Sequence, residues 1–307
     1  VTTSILLSSY NGEKYIYEQL TSLLNQSIQP DEVVIIDDAS TDNTPKIIND
    51  FIKEHNLFGN WKFFINQQNK GWRLNFIEGV DKTSSELVLF CDQDDVWLKN
   101  KLSTMLTIMQ ENSDLNVLVS PYISWYGEEK NIENQISSDF QRLSIDKKFK
   151  NYNVLGAGCT MIFRRKYFYD ILPYYSDGWA HDDFLWKMSL FDETLGHMKE
   201  GTVLRRFHNN NASRLKRTYS SSIAAFETGC RFTVQIEKYI KDKSIADSET
   251  KLKLIRHKYR GYENRLNYFK TNKINYLFQS GLKYSDQYRR KRQFFGDWLL
   301  VNKHKND

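Results

Sequence analysis

Cysteine is scarce in this 307-residue chain: Cys91, Cys159 and Cys230 are too few and too scattered for a disulfide framework or a thiolate metal site, which favours a reducing compartment. Long apolar runs are missing as well. No stretch approaches the roughly 20 apolar residues of a membrane-spanning helix, and residues 1 to 10 lack the basic, apolar, small-residue order of a signal peptide. The expectation is a cytoplasmic chain that does not cross a membrane. Two phosphate-binding signatures are absent too. There is no GxxxxGK(S/T) loop, and "GAG" at residues 156 to 158 is not continued to the third glycine of a dinucleotide fingerprint, which argues against a P-loop NTPase and a Rossmann dehydrogenase. Internal repeats are lacking.

What is present suffices for a real core: 40% of the residues are hydrophobic and 14% aromatic. The net charge of +5 hides an asymmetry. Residues 1 to 200 hold 19 Lys+Arg against 29 Asp+Glu, a balance of −10, whereas residues 201 to 307 hold 24 against 9, a balance of +15.

Along the chain, short apolar strands alternate with amphipathic helices. "SILLSSYN" reads as a strand over Ile5 to Leu7 ending in small polar residues, and Ile16, Leu20, Leu23 and Leu24 then mark a helical face. "EVVIIDDAS" is a second strand, followed by a helix with Thr44 as its N-cap, Pro45 as its first residue and Ile47, Ile48, Phe51 and Ile52 on its buried face. "WKFFINQ", the short helix "WRLNFIEGV", the strand "ELVLFCDQDD" and a helix through Leu102, Met105, Leu106 and Met109 continue the pattern. Strands apolar on both faces imply a mostly parallel sheet covered by helices on both sides, with ligands beyond the carboxyl ends of the strands. Ser8, Tyr10, Asp38, Asp92 and Asp94 fall at those ends.

After residue 111 the alternation loosens. "LNVLVSPYISW" reads as a fifth strand, the polar stretch to about residue 151 as an irregular excursion or lid, "HDDFLWKMSLF" as a helix with an acidic first turn, and "GTVLRRFHNNNAS" as a closing strand. From about residue 215 the chain reads as helical, basic and rich in Tyr and Phe. The expected domains are residues 1–214, in two halves meeting at about residues 111 and 112, and a helical extension over 215–307.

"LVLFCDQDDVW" carries the chemistry. Carboxylates at a buried strand's end repel one another unless they are a solvated turn or hold a cation. Asp92 and Asp94, one residue apart, can both approach a hard octahedral ion that takes its remaining ligands from phosphates, so Mg²⁺ or Mn²⁺ is the expected occupant.

"SILLSSYNGEKYIYEQLTSLLNQS", "EVVIIDDASTDNT", "ELVLFCDQDDVWLKNKL", "HDDFLWK" and "RRFHNNNAS", in this order, resemble the inverting nucleotide-sugar glycosyltransferases of family 2, which have the GT-A fold. The resemblance covers roughly residues 3 to 213 and is nearest in motif to the bacterial rhamnosyltransferase-like branch, which builds cell-surface polysaccharide. It implies a metal-dependent transfer from dTDP-rhamnose or a UDP-hexose to a glycan or lipid-linked acceptor. Ser8 and Tyr10 would line the nucleoside pocket, and Asp38, or Asp37 instead, would accept a hydrogen bond from the base; Lys70 and Arg73 would contact phosphate or base. Asp94 would be the main metal ligand, with His208 beside the metal or pyrophosphate, Asp92 orienting the donor sugar or ribose or joining the metal, and Asp95 completing the rim. Inverting transfer needs a base for the acceptor hydroxyl. By its place in the motif that base is Asp182, with Asp183 the alternative and His181 a modulator of its pKa.

Two other classes compete. A nucleotidyltransferase would favour a Gly-rich, basic loop after the first strand, which "SSYNGEKY" is not; a non-catalytic partner in a polysaccharide machine would tolerate loss of the acids, all of which are present. Nucleic acid is not an expected partner. The basic tail, with Arg289, Arg290, Lys291 and Arg292 ahead of Phe294, Phe295, Trp298 and Leu299, reads as a peripheral dock on an anionic membrane at the inner face of the cell, or as a helical packing or homodimer surface.

Overall fold

The computed structural model describes residues 1–127, 136–146, 149–208, 217–288 and 292–306. All of "NNNAS", part of the polar excursion, and Arg289, Arg290 and Lys291 therefore lie outside the described residues. The chain divides into two compact units, one of Val1–Ser144, Val154–Leu172 and Ala180–Asn209, the other of Ile145–Asn153, Pro173–Trp179 and Asn210–Asp307.

In the first unit the alternation forms β1 (Thr3–Ser9), α1 (Ile16–Leu24), β2 (Glu32–Asp37), α2 (Thr44–Glu54), β3 (Trp61–Ile65), α3 (Trp72–Gly79), β4 (Leu87–Asp92), the two-residue β5 (Val96–Trp97) and α4 (Lys101–Glu111). Ile5, Leu7, Val33, Ile35, Leu87 and Leu89 are fully buried, which the two-sided apolar strands require. α2 begins one residue earlier than the helix signals imply: Asn43 is its N-cap, and the buried Thr44 hydroxyl instead accepts the Gly12 N–H at 2.8 Å.

β6 (Val117–Val119), β7 (Ile123–Trp125), β8 (Phe140–Leu143), β9 (Met161–Arg164), α5 (Arg165–Ile171), α6 (His181–Asp192), β10 (Leu195–Met198) and β11 (Val203–Arg206) follow. The large sheet has eight strands in the order β3-β2-β1-β4-β9-β6-β10-β8. β3, β2, β1 and β4 are parallel, but β9 runs antiparallel between β4 and β6, and β8 antiparallel beside β10. The expected single strand through "LNVLVSPYISW" is two strands in different sheets. Pro121, which has no N–H for a ladder, stands between them. A second, three-stranded sheet, β5-β11-β7, joins residues about 100 apart in sequence.

The second unit is built on α7 (Tyr219–Asp242), α8 (Ser248–Thr271), α9 (Ile274–Leu282) and α10 (Arg292–Asn306). Thr218 caps α7 by accepting the Ser221 N–H at 3.1 Å while Ser221 returns the bond, so two orphan donors are satisfied. Asp297, 1% exposed, accepts from Arg217, from Arg265 at 2.8 Å and from Tyr288 at 3.2 Å, which makes its burial tolerable. Among the described residues no helix is long and apolar enough to cross a membrane.

Candidate active site

β4 delivers Asp92 to the carboxyl edge of the sheet, and the turn Gln93–Asp94 leads into the buried Asp95. Residues from β11 strap this acid loop. The Arg206 N–H donates to Asp95 Oδ1 at 2.9 Å and its Nε to the Asp94 carbonyl at 2.9 Å, while its guanidinium pairs with Glu18. That guanidinium also lies 4.0 Å from the Trp125 ring and 4.7 Å from the Tyr15 ring. His208 Nε2 stands 2.8 Å from Asp94 Oδ2, its ring stacked on Tyr15. The two residues expected to hold a metal are thus together. Arg206 escaped the sequence reading, where "RRFH" drew notice only for its histidine.

Gln93 is a second unanticipated residue. Its side chain accepts the Tyr10 N–H at 2.8 Å and donates to the Tyr10 carbonyl at 2.9 Å, bolting the loop after β1 to the acid loop. Gly12 makes room for it: a Cβ there would lie 2.2 Å from Gln93 Oε1.

Ligand atoms of Asp92, Asp95 and Cys159 also lie within 4.8 Å of one another. Burial first, then the neighbouring carboxylates, pushes Asp92 and Asp95 well above the usual carboxylate range. Burial likewise raises the Cys159 thiol, so that sulfur stays protonated, and a soft, neutral donor does not suit a hard cation. The oxygen and imidazole donors of Asp94 and His208, with Asp92 nearby, fit Mg²⁺ or Mn²⁺ better. Burial opposes the charge on Arg205, but nearby anionic groups, Asp92 and Asp95 among them, outweigh it and raise its pKa. From the core side, Lys101, 0% exposed, donates to Thr202 Oγ1 at 3.2 Å and is pulled down to about 8 by burial.

Three of the expected nucleotide residues, Ser8, Asp38 and Lys70 through its backbone, join one polar network. Ser8 Oγ accepts from Asn75 Nδ2 at 2.6 Å; Asn75 Oδ1 accepts from Asn66, and Asn66 Nδ2 donates to Asp38 Oδ1 at 2.8 Å. Both oxygens of Asp38, 1% exposed, are engaged: the Lys70 N–H reaches Oδ1 at 2.9 Å and the Gly71 N–H reaches Oδ2 at 2.8 Å. Asp37 is bound by Ser9 and Ser40. Tyr10 is 44% exposed, the Lys70 ammonium pairs with Glu78 at 2.6 Å, and Arg73 stacks on Trp72 at 4.3 Å.

α6 opens with His181, Asp182 and Asp183. Asp183 is paired with Lys187 one turn on, whereas Asp182 Oδ1 accepts the Asp183 N–H at 2.8 Å. Burial, then the Asp183 charge, raises Asp182, and Asp182 is near enough to Asp92 to add to the latter's rise. Two carboxylates 90 residues apart in sequence therefore share one field. His181 is packed among Phe76, Phe90 and Trp72, with ring centroids 4.1, 4.6 and 5.6 Å away, and neither ring nitrogen has a hydrogen-bond partner among the described residues. Burial takes its pKa down to about 3, so the neutral ring places no charge beside Asp182. A Cβ at Gly158 would lie 2.2 Å from its Nε2, which explains one glycine of "GAG".

Residues 4–172 match the sequence profile of Glycosyl transferase family 2, more than half of the chain. The chain belongs to glycosyltransferase family 2. Among relatives of this glycosyltransferase, the dTDP-rhamnosyl transferase RfbG of Shigella flexneri is 28% identical over 67% of this chain and 72% of its own. The UDP-Glc:alpha-D-GlcNAc-diphosphoundecaprenol beta-1,3-glucosyltransferase WfgD of Escherichia coli is also 28% identical, over 68% and 78%. The enzyme's fold is GT-A: the TarS 1–349 structure of S. aureus in complex with UDP-GlcNAc superposes with a TM-score of 0.60 at 17% identity, covering 94% of this chain and 93% of TarS.

Proposed function

We propose that the enzyme transfers a sugar, with inversion, from a nucleotide diphosphate donor to a glycan or lipid-linked acceptor in bacterial cell-surface polysaccharide synthesis, and that the donor is dTDP-rhamnose or a UDP-hexose. The observation that carries this reading is the acid loop of Asp92, Asp94 and Asp95, with His208 on Asp94 and Asp182 within electrostatic reach. Asp94 and His208, with Asp92, would hold Mn²⁺ or Mg²⁺. When bound, that ion neutralises charge building on the departing diphosphate. Ser8, Tyr10, Asp38, Lys70 and Arg73 bind and orient the nucleotide. Asp182 takes the proton from the acceptor hydroxyl as its oxygen bonds to the anomeric carbon and the bond from that carbon to the phosphate oxygen breaks. The raised pKa of Asp182 suits it to that exchange, whereas Asp183 is held by Lys187. Incubation with a panel of UDP- and dTDP-sugars, with and without Mn²⁺, is expected to release nucleotide diphosphate with at least one donor and only with metal. Failure of every donor refutes the reading.

The C-terminal helices supply the peripheral dock. Ile274, Phe278 and Leu282 form a stripe along α9, 50%, 58% and 81% exposed, and Phe295, Trp298 and Leu299 protrude from α10 at 63%, 45% and 59%. Phe294 does not belong with them, because it packs against Tyr288 and Phe295. Lys273, Lys283, Arg292 and Lys303 flank the stripes, while Asp286 and Asp297 are already paired. Apolar stripes edged by cations match an anionic bilayer surface, each cation contributing about 1 kcal/mol.

A further inference from the structure

The small sheet carries side chains that the strap over the acid loop does not use. Along β11, Arg205 and Arg206 point to opposite faces, as neighbours in a strand do. Arg206 and its cross-strand partner Trp125 serve the acid loop. On the other face, the Arg205 guanidinium lies 4.9 Å from the Tyr122 ring and 5.8 Å from the Phe207 ring. Phe207 stands 6.3 Å from Tyr122 and is stacked on Tyr126 at 5.5 Å and 26°. Tyr126 is 68% exposed, an unusual place for a large aromatic ring that no core requires.

Flat apolar rings beside a rigid fork of N–H donors have a specific complement. A pyranose offers a face of C–H groups to pack on the rings and a rim of hydroxyls to accept from the guanidinium. The proposed nucleoside residues lie on or beside β1, β2 and α3, whereas this cluster lies on or beside β7 and β11 and meets the acids through Arg205, whose charge acts on Asp92 and Asp95. A sugar seated here lies against the arginine whose charge acts on the acids.

The geometry points to Tyr122, Tyr126, Phe207 and Arg205 as the platform that binds the terminal sugar ring of the acceptor. That the bound sugar is the acceptor rests on the transferase reading; that the surface binds a sugar ring does not. Tyr126 is the specificity-determining ring because its face is the one open to a ligand.

Saturation-transfer NMR on the full chain, with the methyl glycosides of glucose, N-acetylglucosamine, galactose and rhamnose as probes, tests this directly. The wild type is expected to saturate ring protons of at least one glycoside. Tyr126→Ala should weaken that binding about tenfold, Tyr126→Phe should restore it, and Phe58→Ala, which removes another exposed ring far along the chain, should leave it unchanged. No saturation of any glycoside by the wild type, or full retention in Tyr126→Ala, overturns the platform. Diphosphate release from donor sugars is measured on the same samples. Tyr126-dependent glycoside binding without release from any donor keeps the platform and sinks the transferase reading, whereas release without glycoside binding does the reverse.

Discussion

Replacing His181 by leucine should make the protein more resistant to acid, by an amount that follows from the ring's surroundings. The native imidazole is 3% exposed, boxed by three aromatic rings and without a hydrogen-bond partner at either nitrogen among the described residues, and its pKa falls to about 3. In the unfolded chain it titrates near 6.5. The folded pKa is thus depressed, so the unfolded state binds the proton first, and stability is fully present above pH 6.5 and lost as pH falls toward 3. Linkage puts the loss at about 2 kcal/mol at pH 5 and about 0.2 kcal/mol at pH 7. Leucine changes packing by some amount independent of pH and removes the titration. Urea unfolding of wild type and His181→Leu at both pH values isolates the proton-linked part as the change in their difference. A stability difference that is the same at pH 5 and pH 7 refutes the account of a neutral, unpartnered ring.

Asp182→Asn is expected to lower turnover by about 10² to 10⁴ with donor binding nearly intact, since a base acts on the acceptor; a severe Asp183→Asn instead would move the role to the neighbour. Asp94→Asn should abolish metal-dependent diphosphate binding, measured by calorimetry, with little change in unfolding midpoint, and undiminished binding would remove Asp94 from the metal site. Phe278→Asp with Leu282→Asp should release the full chain from anionic liposomes in co-sedimentation at low salt; equal sedimentation would show that α9 is not the dock.

The half of the fold built from local signals was legible. Three buried strands alternating with helices can be read from "SILLSSY", "EVVIID" and "LVLFCD", because a strand apolar on both faces constrains its own setting, whereas "WKFFI", equally apolar, is the edge strand β3 in which only Trp61 is buried. Strand direction was not legible. Met161–Phe163 is equally apolar whichever way it runs, so nothing in it announces an antiparallel place between β4 and β6. In the candidate site, the acids and His208 stood out by residue type, but their supports did not: Arg206, Gln93 and Asn75 matter through partners 112, 83 and 67 residues away. A two-residue strand such as β5 has no periodicity to detect, yet it lets β11 reach the acids.

Gln93 is the middle residue of the D-x-D triplet, the position that ligand arguments leave blank. Its paired bonds to the Tyr10 backbone make the loop after β1 and the acid loop, the proposed nucleoside and metal sites, one mechanical part. Whatever orders one loop has already met part of the entropy of ordering the other, so nucleotide and cation should each tighten the other's binding by the same factor. A glutamine whose side chain touches neither ligand would then set the cooperativity between them, and Gly12→Ala, which crowds that glutamine, would uncouple the two without altering a single ligating atom.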